Sequence, residues 1–293
     1  MEKLSMSKRK SIYGLVGYPV EHSLSPLMHN TAFKELGVHA VYELFPLKEN
    51  ALDVFFEDIK EKESPIFGLN VTVPYKEKAL KYLDTKSPFA EKVGAINTIV
   101  ISEDRKLTGY NTDGPGFLAH LTELKFNPAQ KRVSLLGAGG AARAVVSVLC
   151  LIPEQPSVIK IFDMDKQKAH NLVEDLSRRM DTRLIKIVNN ISELDIASAD
   201  LVINATPVGL KESDPCLVDE NLFHNNMLVY DLIYNPAETK LLKGAVTKGA
   251  KVSNGLGMLY YQGVLAFQHW AGMEITQKVK DKMRRALEEG LKK

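Results

Sequence analysis

The 293-residue sequence is poor in cysteine, with only Cys150 and Cys216, and has a single tryptophan. So few thiols exclude a disulfide scaffold and suit a reducing compartment, so a cytoplasmic location is expected. No apolar run approaches the ~20 residues of a membrane-spanning helix, and no signal-like apolar stretch precedes Ile12. An excess of one charge is also missing. Against 38 Lys and Arg stand 36 Asp and Glu, a net charge of +2 with neutral histidines. Such a balance creates no field that would draw the chain to nucleic acid or a membrane surface. The basic run Lys8-Arg9-Lys10 precedes the first strand and reads as a solvated tail. Histidine and cysteine nowhere fall at metal-ligand spacing, so no metal site is expected. Without repeats, low-complexity segments or heptads, both a monomer and a homodimer stay open.

What is present is an ordinary globular composition, 45% hydrophobic and 25% charged, arranged as alternating strand-like and helix-like segments. "SIYGLVG", "AVYELFPL", "IFGLNVTVP" and "AINTIVI" read as strands, the third stopped by Pro74. Between the first two, "SPLMHNTAFKEL" reads as a helix with Ser25 as N-cap and Pro26 at its first position. "ALDVFFEDIKEK" reads as the next helix. A second series starts at Arg132 with "RVSLLGAGGAARAVVSVLCL", a strand, a glycine turn and a helix. "VIKIFDMD" follows, then a helix to about Met180, then strands in "RLIKIV", "DLVINAT", "MLVYDLIY" and "AKVSN". Residues from Gly255 onward read as helical. Such alternation predicts an α/β protein of two domains, each with a mostly parallel sheet covered by helices. The turn residues of "GYNTDGPG" place the boundary there, giving 10–113 plus 256–293 and 114–255 as the domains.

The glycine turn carries the first chemistry. Gly137-x-Gly139-x-x-Ala142 follows an apolar strand and opens a helix. Its first glycine permits a tight turn, its second lets backbone approach a pyrophosphate, and its small third residue lets helix and strand pack closely. The helix N-terminus adds unpaired N–H donors and partial positive charge. A Rossmann-type dinucleotide site is therefore predicted, with Gly137, Ala138, Gly139, Gly140 and Ala141 around the phosphates. The next strand ends in an acid, Asp163, where such folds hold a ribose.

Polar residues also gather at the predicted strand ends of the first series: "HSLSP", "NVTVPYK", "GAINT" and "GYNTDG". With "GYPVEHSLSPLMHN", "GLNVTVPYKEKAL", "VGAINTI", "LGAGGAARA", "INATPVGL", "YDLIYNPAETKLL" and "NGLGMLYYQGVLAFQHW", they make the chain resemble the shikimate dehydrogenase family, quinate/shikimate dehydrogenases included. The motifs run in order over nearly the whole chain. The resemblance implies an N-terminal substrate domain closed by the last helices, a nucleotide domain between, and reversible oxidation of shikimate to 3-dehydroshikimate with NAD or NADP.

Oxidising an alcohol removes a hydride from carbon and a proton from oxygen, and a positioned amine can take or return that proton. Lys76 is the candidate and Asp113 its partner; whether Lys76 alone or the Lys76–Asp113 pair carries the proton is open at this point. The plainer alternatives are a surface lysine and an N-cap aspartate. The resemblance further implies that Ser23 and Ser25 hold the substrate carboxylate, with Tyr234 adding a hydroxyl. Asn70, Asn97 and Gln262 would bind ring hydroxyls, with Thr72 close by; amides suit a polyol because they both donate and accept. Thr206 and Gly255 would lie at the nucleotide. Quinate-preferring relatives often have Thr at the Ser25 position, so Ser25 leans toward shikimate, with quinate as the alternative substrate. A non-catalytic nucleotide-binding regulator is the remaining alternative, and the presence of both Lys76 and Asp113 speaks against it.

The family's usual NADP pattern at the second strand end is Asn-Arg-Ser/Thr with another Arg soon after. Here the chain has Asp163, Met164 and Asp165, then Lys166 and Lys168. A carboxylate at 163 accepts from the 2′- and 3′-hydroxyls of NAD and repels a 2′-phosphate. NAD is therefore the expected cofactor and NADP the alternative, with the two lysines as possible phosphate contacts. Asp165 fits a helix cap better than a ribose contact, though both acids are candidates at the nucleotide.

Overall fold

A computed structural model describes residues 10–292; Lys8 and Arg9 of the basic run lie outside the described residues. The chain divides into two compact units, one running to Gly116 and resuming at Tyr260, the other spanning Phe117–Leu259.

The first unit is built on six strands: β1 (Ser11–Gly17), β2 (Ala40–Pro46), β3 (Ile66–Val71), β4 (Thr85–Lys86), β5 (Thr98–Ile101) and β6 (Leu107–Tyr110). Their order is β2-β1-β3-β5-β6-β4. β1 runs parallel to β2 and β3, and β4 to β6, whereas β5 is antiparallel to both its neighbours. The central strand β3 is buried along nearly its whole length because both faces are covered, with Leu69 and Val71 on either side of the buried Asn70. One face packs α2 (Leu52–Asp58) and α3 (Pro88–Val93) around Leu69, Ile96, Ile99 and Leu107. The other carries an aromatic cluster in which Tyr13, His29, Phe33, Tyr42, Phe267 and Trp270 meet ring to ring. Gly68 is required there. A Cβ on it would lie 2.4 Å from Trp270 Nε1, which donates to Ile99 O at 3.0 Å.

Helix α1 (Ser25–Leu36) corrects one expectation. Its N-cap is Leu24, not Ser25, and no side chain caps it. Ser25 is already helical and buried, while Ser23 Oγ accepts from the Ser25 N–H at 3.2 Å. Pro26 has no N–H to leave unpaired in that first turn, so the helix starts without a side-chain cap. α9 (Gln277–Gly290) lies against α1, burying Val279, Met283 and Leu287 and pairing Lys278 and Lys282 with Glu35.

The second unit holds a wholly parallel sheet in the order β12-β11-β10-β7-β8-β9. Its strands are β7 (Arg132–Leu136), β8 (Val158–Phe162), β9 (Ile185–Ile187), β10 (Leu201–Asn204), β11 (Leu228–Asp231) and β12 (Lys251–Ser253). α5 (Gly140–Leu151), α6 (Lys166–Ser177) and α7 (Lys240–Thr247) supply its helices. From β7 the chain builds first toward β8 and β9, then returns to β10 on the other side. The strand order thus reverses between β7 and β10, the position at which doubly wound sheets bind ligands beyond their strand ends.

Candidate active site

In the first unit the polar groups converge beyond the ends of β3, β5 and β6. The loop after β3 is anchored by Tyr75, which is buried and donates its hydroxyl to Leu47 O at 2.7 Å. The next residue, Lys76, is tied through its own carbonyl to Ile96 N at 2.9 Å. That bond fixes the lysine backbone beside the loop that carries Asn97. Lys76 Nζ donates to Asp113 Oδ2 at 2.6 Å, with the two side chains only 13% and 8% exposed. This is a short charge-assisted contact in a largely dry setting, where such pairs act more strongly than at the surface.

Asp113 opens α4 (Asp113–Glu123), and the helix N-terminus favours its negative charge. It is not serving as a cap: Asn111 Oδ1 takes the Gly114 N–H at 3.3 Å. Both Asp113 oxygens are committed to side chains, the second accepting from Asn97 Nδ2 at 2.9 Å. The same Asn97 nitrogen reaches Thr112 Oγ1 at 2.9 Å and Gln262 Oε1 at 3.2 Å, while Asn97 Oδ1 accepts from Thr112 N at 2.7 Å. Asn70 joins through Nδ2, donating to Asn97 O at 3.0 Å and Thr98 Oγ1 at 3.1 Å. Its oxygen accepts from Tyr42 OH at 2.8 Å. Burial pushes the Tyr42 phenol up, opposed in part by its hydrogen bond with Ser25.

Lys76, Asp113, Asn97, Asn70 and Gln262 thus belong to one hydrogen-bonded network, with Ser25 close to its Tyr42 member. Ser23 is bonded to Ser25, and Thr72 contributes backbone bonds to Val16 and Tyr75. Three members escaped sequence reasoning. Tyr42 lies in an apolar strand and reads as core, and Thr98 reads as a strand residue. Thr112 carried a signal, its place beside Asp113 in "GYNTDG". The network offers a proton-carrying amine paired with a carboxylate, surrounded by amides and hydroxyls of fixed orientation.

Of the residues expected near the nucleotide, Gly137 adopts φ +98°, a left-handed conformation that favours glycine. A Cβ there would lie 2.8 Å from Ala205 O. At Gly139, by contrast, a Cβ would enter open space, with no atom within 4 Å. Gly139 is itself the N-cap of α5, whose first turn has no side-chain cap and no acid. The N–H groups of Gly140, Ala141 and Ala142 are therefore presented to an anion, so the turn fits a dinucleotide pyrophosphate. Asp163 is held between two backbone donors, Ala138 N to Oδ2 at 2.8 Å and Asp165 N to Oδ1 at 2.9 Å. Its remaining lone pairs can accept further hydrogen bonds. Asp165 is the N-cap of α6, accepting from Gln167 N at 3.1 Å. Lys166 donates to Asn189 at 3.3 Å, and Lys168 stands 4.0 Å from Asp165.

Thr206 lies two residues beyond β10, bonded through N and Oγ1 to Asn204 Oδ1 at 3.0 and 2.7 Å. Gly255 has a packing reason of its own, since a Cβ would overlap Leu232 O at 2.0 Å. Tyr234 belongs to the second unit, where burial raises its phenol. Among the described residues no cluster of His, Cys, Asp and Glu could hold a metal ion, and no helix is long and apolar enough to cross a membrane.

Residues 15–99 match the family model described as the shikimate dehydrogenase substrate binding domain. Over 294 aligned residues the chain is 41% identical to a shikimate dehydrogenase (NADP(+)) of Methanopyrus kandleri, covering 99% of both chains. Among solved structures it is similar to shikimate 5-dehydrogenase of Listeria monocytogenes in complex with shikimate and NAD. That match has 33% identity and a TM-score of 0.85, over 96% of this chain and 98% of the other. The Thermus thermophilus enzyme in complex with NADP(H) and shikimate matches at 34% identity and a TM-score of 0.81, over 96% and 100%.

Proposed function

Since the chain belongs to the shikimate dehydrogenase family, we propose that it interconverts shikimate and 3-dehydroshikimate with NAD preferred over NADP, as a cytoplasmic enzyme. The observation that carries the reaction is the 2.6 Å Lys76–Asp113 pair inside a network of oriented amides. The nicotinamide, when bound, takes the hydride from the alcohol carbon or returns it. In the ketone-reducing direction the paired Lys76 ammonium donates a proton to the carbonyl oxygen as it becomes a hydroxyl. In the reverse direction the pair must first lose a proton, and Lys76 then accepts one from the hydroxyl. Asp113 holds the amine in place throughout and can accept from a neighbouring ring hydroxyl. Asn70, Asn97 and Gln262 orient the ring, and Ser23 and Ser25 take the carboxylate.

The preference for NAD rests on Asp163. The Ala138 and Asp165 amides fix its carboxylate at the strand tip beside the glycine turn. There it can accept from ribose hydroxyls, while a 2′-phosphate would meet a like charge with no arginine at 164 to offset it. Relatives are described in complex with NAD and with NADP(H) alike, and this chain departs from the Asn-Arg pattern expected for NADP. Shikimate is favoured over quinate because position 25 is Ser, where quinate-preferring relatives often have Thr. Comparing kcat/KM for the two substrates tests that choice, and a larger value with quinate would overturn it.

A further inference from the structure

We propose that Asp231 is a positioning residue for nucleotide binding: it sets the orientation of the Asn204 amide, and through it the loop from Ala205 to Gly209 beside the glycine turn. This rests on the reading of Thr206 as a nucleotide contact. Leu136, Asn204 and Asp231 stand in one row across the ends of β7, β10 and β11, paired in register. Asn204 and Asp231 are both fully buried. An amide in that position has two possible orientations, and only its partners decide between them.

Each atom of the Asn204 amide is fully used. Nδ2 donates to Asp231 Oδ1 at 3.0 Å and to Val208 O at 3.1 Å. Oδ1 accepts from Thr206 N at 3.0 Å and Thr206 Oγ1 at 2.7 Å. Thr206 Oγ1 in turn accepts from Val208 N at 3.1 Å. The loop is therefore wrapped around one side chain, and it presses on the nucleotide turn. Ala205 O and Thr206 Cγ2 lie 2.8 and 3.0 Å from the place where a Gly137 Cβ would stand.

Asp231 supplies the asymmetry. A carboxylate only accepts, so it compels the nitrogen of Asn204 to face it and the oxygen to face Thr206. Its other donors are Ile233 N at 3.0 Å and Thr239 Oγ1 at 2.6 Å, and no cation pairs with it among the described residues. Burying an unpaired carboxylate is costly. A requirement for a partner that can only accept explains the acid here better than packing does.

Steady-state kinetics of the full-length enzyme test this. Asp231→Asn is nearly isosteric but can donate as well as accept, so it should raise the nucleotide KM about tenfold, the size of one lost charge-assisted bond. The shikimate KM should stay within about twofold. Asn204→Ala should give the same selective rise and keeps the test intact if Asp231→Asn does not fold. The double variant should be no worse than Asn204→Ala alone, because the aspartate acts through the amide. Thr239→Val, which removes another donor to the same carboxylate, should lower Tm and leave both KM values in place. An unchanged nucleotide KM in Asp231→Asn or Asn204→Ala, or an equal rise in Thr239→Val, would overturn the proposal. Thr206→Val separates it from the reading beneath. If that variant leaves the nucleotide KM unchanged, the loop is not a nucleotide contact and both readings fall. If it raises the KM while Asp231→Asn does not, the positioning role alone fails.

Discussion

Lys76 and Asp113 carry the chemistry as a pair, and each is fixed by a different part of the chain. Replacing Lys76 with Ala should cut turnover by about a hundredfold to ten-thousandfold, the range of a lost general acid–base group. Nucleotide affinity, measured by fluorescence titration, should stay near that of the wild type, and near-normal turnover would remove the lysine from the mechanism. Asp163→Asn should raise the ratio of NADP to NAD kcat/KM about tenfold, the worth of one like-charge contact largely screened by water, about 1.4 kcal/mol. An unmoved ratio would show that the carboxylate does not choose the nucleotide. At this scale the sequence showed which residues were chemically suited but not how their hydrogen bonds divide. Asp165 caps α6, as its position in the sequence indicated, but the tie of Asp163 to the Ala138 amide of the glycine turn had no sequence signal. The share of the network taken by Tyr42, Thr98 and Thr112 depends on cross-strand register, which local pattern does not encode.

The turn between β7 and α5 was readable because its glycines have local reasons: a positive φ at Gly137 and open space at Gly139. Gly137→Ala should therefore weaken nucleotide binding and lower Tm, since a Cβ would strain the backbone and meet Ala205 O. Wild-type values on both measures would contradict that geometry. Other elements were hidden for equally physical reasons. β6 went unassigned because "LTGY" is short and its last two residues open the turn-rich "GYNTDGPG", but Gly109 is needed where Leu83 Cδ1 comes within 2.3 Å of a Cβ position. The two-residue β4 is exposed and has no apolar pattern to detect. The Ser25 cap failed because Pro26 and the Ser23 hydroxyl settle that helix start in another way.

For the whole molecule, the alternation of strands and helices gave the α/β class, since periodicity survives in each segment. The antiparallel setting of β5 was not legible, because strand direction is decided by which neighbours cover it. Stability should fall in acid through His29. Its ring is buried in the aromatic cluster with both nitrogens unpartnered, and burial pushes its pKa down to about 3. The unfolded chain then binds a proton that the folded one refuses, so stability is full above about pH 6.5 and declines as pH falls toward 3, by up to about 1.4 kcal/mol per pH unit. Asp231 opposes this within the same range: burial raises its carboxyl pKa above the ordinary 3.8, so folding favours its protonated form and stability gains as pH falls through the raised value toward 3.8. Urea midpoints at pH 7 and pH 5 should show the loss, and His29→Phe should reduce it; equal slopes in both proteins would refute the assignment. The most direct measurement of the account as a whole is the initial-rate kcat/KM for the nucleotide in shikimate oxidation, taken with NAD and with NADP. The account predicts turnover with shikimate and the larger value with NAD, whereas a larger value with NADP, or no turnover of shikimate, would contradict it.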